Sequence, residues 1–180
     1  MPKKRPEFRA KVMAHKKNRQ VPVGPNATLY FEDRFIMQYQ VQEMLRAGRI
    51  FEADGIEEEL AAYNPLIPDG SNWKATFMLE YDNEEERKVA LAQLLDIEEK
   101  VWIKVGDTAP VWAIADEDLD RTTADKTSSV HFLRFELNAE QKAAVKAGAS
   151  IGVGIDHAQY SYQNMPLLEN IRASLGADIE

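Results

Sequence analysis

The sequence predicts an α+β fold, a single domain over residues 1–180 in which an antiparallel or mixed β-sheet carries helices packed mainly on one face. Three observations support this prediction. The 180 residues contain no repeat, low-complexity segment or linker that would divide the chain. Segments with helical spacing interleave with strand-like segments. Several of those strands alternate apolar and polar residues, which is typical of an antiparallel sheet with one covered face.

The first third of the chain predicts three helices and one strand. Residues 6–19 begin with proline, which the first turn of a helix tolerates, and continue with apolar residues on one side. Residues 27–33 alternate as a strand. Residues 35–52 have apolar residues at helical spacing. A short helix over residues 56–63 ends before an Asn-Pro pair, because proline disfavours helix in the residue that precedes it.

The middle third predicts a strand, a helix and a hairpin. Residues 73–81 alternate most clearly, since every odd position is apolar. Asp82 or Asn83 can cap the helix that follows, and three glutamates occupy its positively polarised first turn. Residues 100–105 and 111–115 are apolar runs separated by GDTAP, a pattern that predicts a hairpin.

The last third predicts a strand, a helix, a second strand and a final helix. Residues 126–138 form the first strand. The helix after it begins at Asn138 and has Gln141 at the capping-box position. Residues 150–157 form the second strand, and residues 166–175 form the last helix.

The composition excludes several classes of site. Without cysteine, the chain has no disulfide, no thiolate nucleophile and no cysteine-ligated zinc or iron–sulfur site. No window approaches the ~18–20 apolar residues that a membrane span requires, so no membrane association is expected. The basic N-terminus lacks the apolar region of a secretory signal. These features predict a cytoplasmic protein.

The net charge of −8 is unevenly distributed along the chain. Residues 1–20 carry a charge of +7 and the rest of the chain carries −15, which predicts a basic helical N-terminal arm docked on an acidic body. The candidate partner-binding residues of this arm are Arg9, Lys16, Lys17 and Arg19. A basic arm can bind phosphate backbones, but the acidic body would repel a long duplex, so nucleic-acid binding is the less favoured interpretation.

No nucleotide cofactor is expected. The chain lacks the spacing of a phosphate-binding loop, and GVG at residues 152–154 lacks the third glycine of a dinucleotide fingerprint. Those glycines are interpreted as positions where another group approaches a strand closely. Asp116, Asp118 and Asp120 have the spacing of the first three ligands of a calcium loop, but the glycine and the final glutamate of that loop are missing.

His131 begins a row of otherwise apolar residues on the strand 126–138, and two interpretations of it stay open. The favoured one is a buried ring satisfied by hydrogen bonds. The other is a metal site that also uses His157, at the end of the next strand, and Glu43, with iron or zinc as the ion. Glu43 lies on a polar helical stripe, for which surface ion pairs are the more common role.

The distance between the two histidines depends on how their strands pair. An antiparallel pairing would bring His131 close to His157. A right-handed parallel crossover would place the two rings at opposite ends of the sheet, ~20 Å apart. The strand–helix–strand order favours the parallel arrangement.

Seven segments carry a family resemblance, and they occur in this order: HKK (15–17), FEDR (31–34), YQVQEMLR (39–46), NPLIPDGSN (64–72), AIADEDL (113–119), KTSSVHFLRFEL (126–137) and GIDHAQY (154–160). Together they resemble a bacterial family of unknown function that is often encoded beside rubrerythrin and an iron–sulfur oxidoreductase. The resemblance covers the chain from Arg5 onward. It implies a setting of oxidative-stress handling with iron proteins, and it assigns no catalytic residue.

Three hypotheses about function follow. The first is a non-enzymatic accessory protein that binds a rubrerythrin-type or iron–sulfur partner, or a metal, with charge complementarity between arm and body contributing to recognition. The second is a metal-dependent enzyme with a histidine and carboxylate site. The third is a nucleic-acid binder that uses the basic arm. A stoichiometric metal favours the second, and a steeply salt-sensitive DNA affinity favours the third.

Overall fold

Six α-helices and nine strands are present in residues 5–180, which are the residues that the computed structural model describes. Lys3 and Lys4 of the predicted arm lie outside the described residues. The helices are α1 (Arg5–Lys17), α2 (Arg34–Ala47), α3 (Ala53–Tyr63), α4 (Glu84–Gln93), α5 (Ala139–Lys146) and α6 (Glu169–Gly176), with short 3-10 helices at Asn64–Leu66 and Ile97–Glu99. The strands are β1 (Gln20–Val23), β2 (Ala27–Glu32), β3 (Asn72–Leu79), β4 (Val101–Val105), β5 (Val111–Trp112), β6 (Ile114–Ala115), β7 (Val130–Glu136), β8 (Ile151–His157) and β9 (Tyr160–Asn164).

The strands form two sheets, and the predicted α+β class is confirmed. One sheet has the order β1-β2-β3-β7-β6, and the other has the order β5-β4-β8-β9. Every ladder between these strands is antiparallel. The predicted hairpin is present as the pair β4–β5, in which Trp102 lies opposite Trp112. The following strand, β6, leaves this sheet and pairs with β7 in the other one.

Strands β7 and β8 lie in different sheets, so neither of the pairings considered for His131 and His157 occurs. Helix α5 between them carries the chain from one sheet to the other. Its start is fixed by the predicted capping box, in which Asn138 and Gln141 each accept a hydrogen bond from the other's backbone N–H. The first five residues of β8 are all buried, because the strand is covered on both of its faces.

The buried apolar residues of both sheets form one core, to which α4, α5 and α6 contribute. The sheets are tied directly where β1 meets β9. The Tyr160 hydroxyl donates to Val23 O at 2.5 Å, and Asn164 Nδ2 donates to Pro22 O at 3.0 Å. Burial of this hydroxyl raises the pKa of Tyr160. The two sheets are therefore joined by polar contacts as well as by apolar packing.

Helix α2 lies on the other face of the five-stranded sheet, away from this core. Its N-terminus is capped by Asp33, whose Oδ1 accepts from Ile36 N at 2.9 Å. Ile36, Met37 and Val41 are buried, but none of them belongs to the main core. No helix within residues 5–180 is long and apolar enough to cross a membrane.

The two glycines of β8 confirm the prediction of close approach. A Cβ atom added at Gly154 would lie 2.0 Å from Cζ2 of Trp102, and one added at Gly152 would lie 1.9 Å from Cγ of Met165. Both side chains therefore occupy the space that a larger residue would need. The pattern GVG serves packing on the outer face of the four-stranded sheet.

We expect Gly154→Ala to lower the free energy of unfolding by about 1–3 kcal/mol, because the added methyl group displaces the buried Trp102 indole. Urea-induced unfolding measures the change. The matched control is Gly176→Ala at the end of α6, where the nearest atom to an added Cβ, from Val145, is 3.8 Å away. That variant should be unchanged or slightly more stable. Equal stability of the two variants would contradict this account of the packing.

Candidate metal centre

His131 lies at the centre of a buried polar cluster on the core-facing side of β7. Its side chain is fully buried, and the prediction of a buried, hydrogen-bonded His131 is confirmed. Glu98, Asp116, Thr127 and His131 are called the histidine cluster below. All four are buried or nearly so, in a region where unpaired polar groups are costly.

Each member of the histidine cluster is held by local backbone structure. Asp116 directly follows β6 with a left-handed φ of 51°, a conformation that aspartate tolerates better than most residues. Its N–H donates to Phe132 O at 2.8 Å and its Oδ1 accepts from Phe132 N at 3.0 Å, so it continues the pairing along β7. Thr127 N donates to Leu91 O at 3.0 Å, and Glu98 lies in the 3-10 helix before β4.

The two ring nitrogens of His131 have different surroundings. Nδ1 lies 2.5 Å from Asp116 Oδ2. Nε2 lies 2.9 Å from the Ser128 carbonyl oxygen, 2.8 Å from Thr127 Oγ1 and 3.8 Å from Glu98 Oε2. A carbonyl oxygen only accepts hydrogen bonds, so a bare nitrogen lone pair facing it would be repelled. A proton or a metal ion at Nε2 removes that conflict.

The charges around the ring are unequal on its two sides. Arg121 donates to Asp116 Oδ1 at 3.1 Å and also binds Asp118, so the carboxylate on the Nδ1 side has a cationic partner. Glu98 on the Nε2 side accepts from Thr122 Oγ1 at 2.7 Å and from Thr127 Oγ1 at 3.2 Å. Within residues 5–180, no lysine or arginine forms an ion pair with Glu98. A positive charge at Nε2 would therefore offset this buried carboxylate.

The structure does not bring His157 to the histidine cluster. Its Nε2 lies 2.8 Å from Leu95 O, and its Nδ1 accepts from Gln159 N at 3.0 Å. Both ring nitrogens are thus occupied by backbone groups, in the four-stranded sheet rather than the five-stranded one. A metal site shared by His131 and His157 does not fit this arrangement, because β7 and β8, which carry these residues, belong to different sheets.

Glu43 is also placed elsewhere, on the surface of α2. It accepts from Arg5 Nη2 at 2.7 Å and from Arg46 Nη2 at 3.3 Å. The hydrogen bonds from Arg5 lower the pKa of Glu43 to about 2. These surface ion pairs are the role that the polar stripe of α2 predicts, and the pair with Arg5 links α1 to α2.

Within residues 5–180, one group of three histidine, aspartate or glutamate side chains has ligand atoms within 4.8 Å of one another, and it contains Glu98, Asp116 and His131. Sequence reasoning missed the two carboxylates. The sequence singled out Asp116 only as one ligand of a calcium loop whose other required residues are missing. Its contact with His131, 15 residues further along the chain, has no local sequence pattern. Glu98 has no local signal, since the fold alone brings it to His131.

The basic arm divides into an exposed and a buried part. Arg9 and Lys17 are exposed on α1, and Lys16 is half-buried. Arg19 is 1% exposed and binds Asp178 and backbone carbonyl groups, so its predicted role as a partner contact does not fit its burial. The arm thereby loses one of its four candidate contacts for a protein or a nucleic acid.

Comparison with known proteins places the chain in a family. The profile of the family described as "Protein of unknown function (DUF3501)" matches residues 2–179. The chain belongs to this family. No curated protein matches the sequence.

The DUF3501 chain is also similar to a solved structure, described as a novel protein of unknown function from Burkholderia pseudomallei K96243. The two share 51% sequence identity and superpose with a TM-score of 0.91. The similarity covers 99% of this chain and 93% of the other. The two-sheet architecture is therefore common to both proteins, and the resemblance noted in the sequence is confirmed at the level of the family.

Proposed function

We propose that this DUF3501 protein is a cytoplasmic, non-enzymatic accessory protein that binds one metal ion, iron or zinc, at Nε2 of His131. The observation that supports the proposal is the convergence of the Ser128 carbonyl, Thr127 Oγ1 and Glu98 Oε2 on that nitrogen, at 2.8–3.8 Å. Ligand atoms around a zinc ion, each at about 2.0–2.2 Å from it, are spaced by about 3–3.5 Å. The distances from Nε2 lie on both sides of this range, with Thr127 Oγ1 and the Ser128 carbonyl slightly closer and Glu98 Oε2 slightly farther.

The other side of the ring supports the same proposal. A metal-binding histidine usually donates its second ring N–H to a carboxylate, which fixes the tautomer and the ring orientation. Asp116 is in that position at Nδ1. Asp116 would then orient the ring, while Glu98 would supply the anionic ligand. A ligand set of imidazole, carboxylate and neutral oxygen suits zinc or ferrous iron.

Burial favours an accessory role over the alternative of a metal-dependent enzyme. A catalytic metal keeps an open coordination position for water or substrate. His131 is fully buried, and Glu98 and Thr127 are 6% and 1% exposed. An ion held there would lie away from any substrate and would act on the stability and shape of the protein.

Metal content tests this proposal. Tag-free protein, as purified and after anaerobic reconstitution with ferrous iron or zinc, should contain one metal ion per chain by elemental analysis. His131→Gln and Glu98→Gln should lose the ion, whereas His157→Gln, which removes a histidine outside the cluster, should retain it. Circular dichroism shows which variants are folded. A wild-type protein that contains no metal after reconstitution would overturn the proposal.

The accessory role beside rubrerythrin and an iron–sulfur oxidoreductase rests on the family resemblance and on the exposed basic residues of α1. We expect a saturable complex with one of these proteins that weakens as salt rises. Arg9→Glu with Lys17→Glu should weaken it, and Lys88→Glu, which reverses a charge on the exposed surface of α4, should not. Light scattering and calorimetry measure the complex. No complex at low salt would contradict this role.

A further inference from the structure

A cleft of about 600 Å³ lies between the five-stranded sheet and the helices α1 and α2. This volume is in the range of sites that bind small organic molecules. Its floor includes Met78 and Phe132, which project from the sheet face opposite the main core. Met37 of α2 and Tyr63 at the end of α3 form the walls. Most of the lining surface is therefore apolar, and the cleft lies apart from the histidine cluster.

Glu32 gives the cleft an anionic group. It is the last residue of β2, and its Oε1 accepts from Thr76 Oγ1 at 3.0 Å. Thr76 is itself 7% exposed, so the carboxyl group is held by a fixed neighbour. Within residues 5–180, no donor to Oε2 of Glu32 is present. Burial raises the pKa of Glu32, which means that its charge lacks full compensation.

Lys16 gives the cleft a cationic group. It lines the same cleft and is close enough to lower the pKa of Glu32. In the described part of the chain the two side chains do not form an ion pair within 4.0 Å. Arg19 also reaches the cleft, but Asp178 and backbone carbonyl groups occupy its guanidinium. Opposite charges thus face an apolar space without contacting each other.

We propose that this cleft binds a small zwitterion with an apolar body, such as an apolar α-amino acid. The ammonium group would donate to Glu32 and the carboxylate would accept from Lys16. The side chain would lie against Met37, Tyr63 and Phe132. A zwitterion fits better than a simple amine or a simple acid, because each of those would satisfy one charged group of the cleft and be repelled by the other.

Calorimetry with three probes of similar size tests the proposal: L-phenylalanine, phenethylamine and 3-phenylpropionate. We expect L-phenylalanine to bind one site per chain at least tenfold more tightly than either probe with a single charge. Glu32→Gln should weaken its binding at least tenfold. Glu84→Gln is the control, since Glu84 is exposed in the first turn of α4 and does not line the cleft.

A second pair of variants tests the carboxylate end of the ligand. Lys16→Met should weaken the binding of L-phenylalanine, and the binding of phenethylamine should stay unchanged or become tighter. Lys17→Met, on the exposed side of α1, should change the binding of neither compound. Circular dichroism confirms that the variants are folded. No binding of L-phenylalanine at millimolar concentration would overturn the proposal. Equal binding by wild type and a folded Glu32→Gln would overturn it as well.

Discussion

Replacing Arg19 with methionine should lower the free energy of unfolding by about 3–5 kcal/mol, one of the two largest effects expected of a single substitution here. The guanidinium donates to Phe31 O at 3.0 Å, to Ser174 O at 3.1 Å and to the carboxylate of Asp178. Asp33 adds an ion pair at 3.5 Å. Methionine keeps most of the buried volume but leaves carbonyl groups and a buried carboxylate without a donor.

The loss should depend on pH through Asp178. Burial raises the pKa of this carboxyl group from 3.8 to about 6, and the charge of Arg19 opposes the rise. A raised folded-state pKa means that the folded protein binds more protons than the unfolded chain between the two values. The free energy of unfolding therefore falls as pH rises through that window. Without the charge of Arg19, the folded-state pKa of Asp178 rises further, and the free energy of unfolding falls over a pH range that extends higher. The variant should therefore lose most stability above pH 6.

Urea-induced unfolding at several pH values between 4 and 8 measures both effects. Arg172→Met is the matched control, since Arg172 pairs with the exposed Glu169 three residues earlier on α6. Its removal should change stability by less than about 1 kcal/mol. Asp178→Asn in the Arg19→Met background should recover part of the loss at high pH. A loss no larger than that of Arg172→Met would contradict the structural role assigned to Arg19.

The strands and helices with a regular pattern could be predicted from the sequence. Strand β3 has an apolar residue at every odd position, and the capping box of α5 needs only Asn138 and Gln141. Two strands escaped prediction because their sequences carry little pattern. β9 has one buried residue, Tyr160, and β1 contains Pro22, which is tolerated because β1 is an edge strand. Both lie where the two sheets meet.

The division into two sheets could not be derived from local patterns. A strand–helix–strand order favours a crossover within one sheet. However, β8 pairs with β4, which precedes it by about 50 residues, and β7 pairs with β3. The pairing of β7 and β8 with strands of different sheets also determines which side chains meet at the site. It separates His157 from His131 and brings Glu98 and Asp116 to it, and such long-range contacts depend on the whole fold rather than on spacing.

The second large effect is expected of His131→Leu, which should lower the free energy of unfolding by about 3–5 kcal/mol. Leucine fills a similar volume but provides no positive charge, whether from a proton or from a metal ion. Glu98 then stays buried with two threonine hydroxyl groups as its donors. Asp116 keeps Arg121 and the Phe132 N–H, so it should be affected less.

A double-mutant cycle separates the charge of Glu98 from the packing of the ring. If His131 stabilises the fold chiefly by offsetting this buried carboxylate, then Glu98→Gln should destabilise the wild type but stabilise His131→Leu. His157→Leu is the control for losing a histidine, and it should cost about 1 kcal/mol, because the side chain is partly exposed and makes two hydrogen bonds to the backbone. Strictly additive effects of His131→Leu and Glu98→Gln would show that the two side chains are not coupled. Coupling present in metal-loaded protein and absent after chelation would identify the ion, rather than a proton, as the charge that joins them.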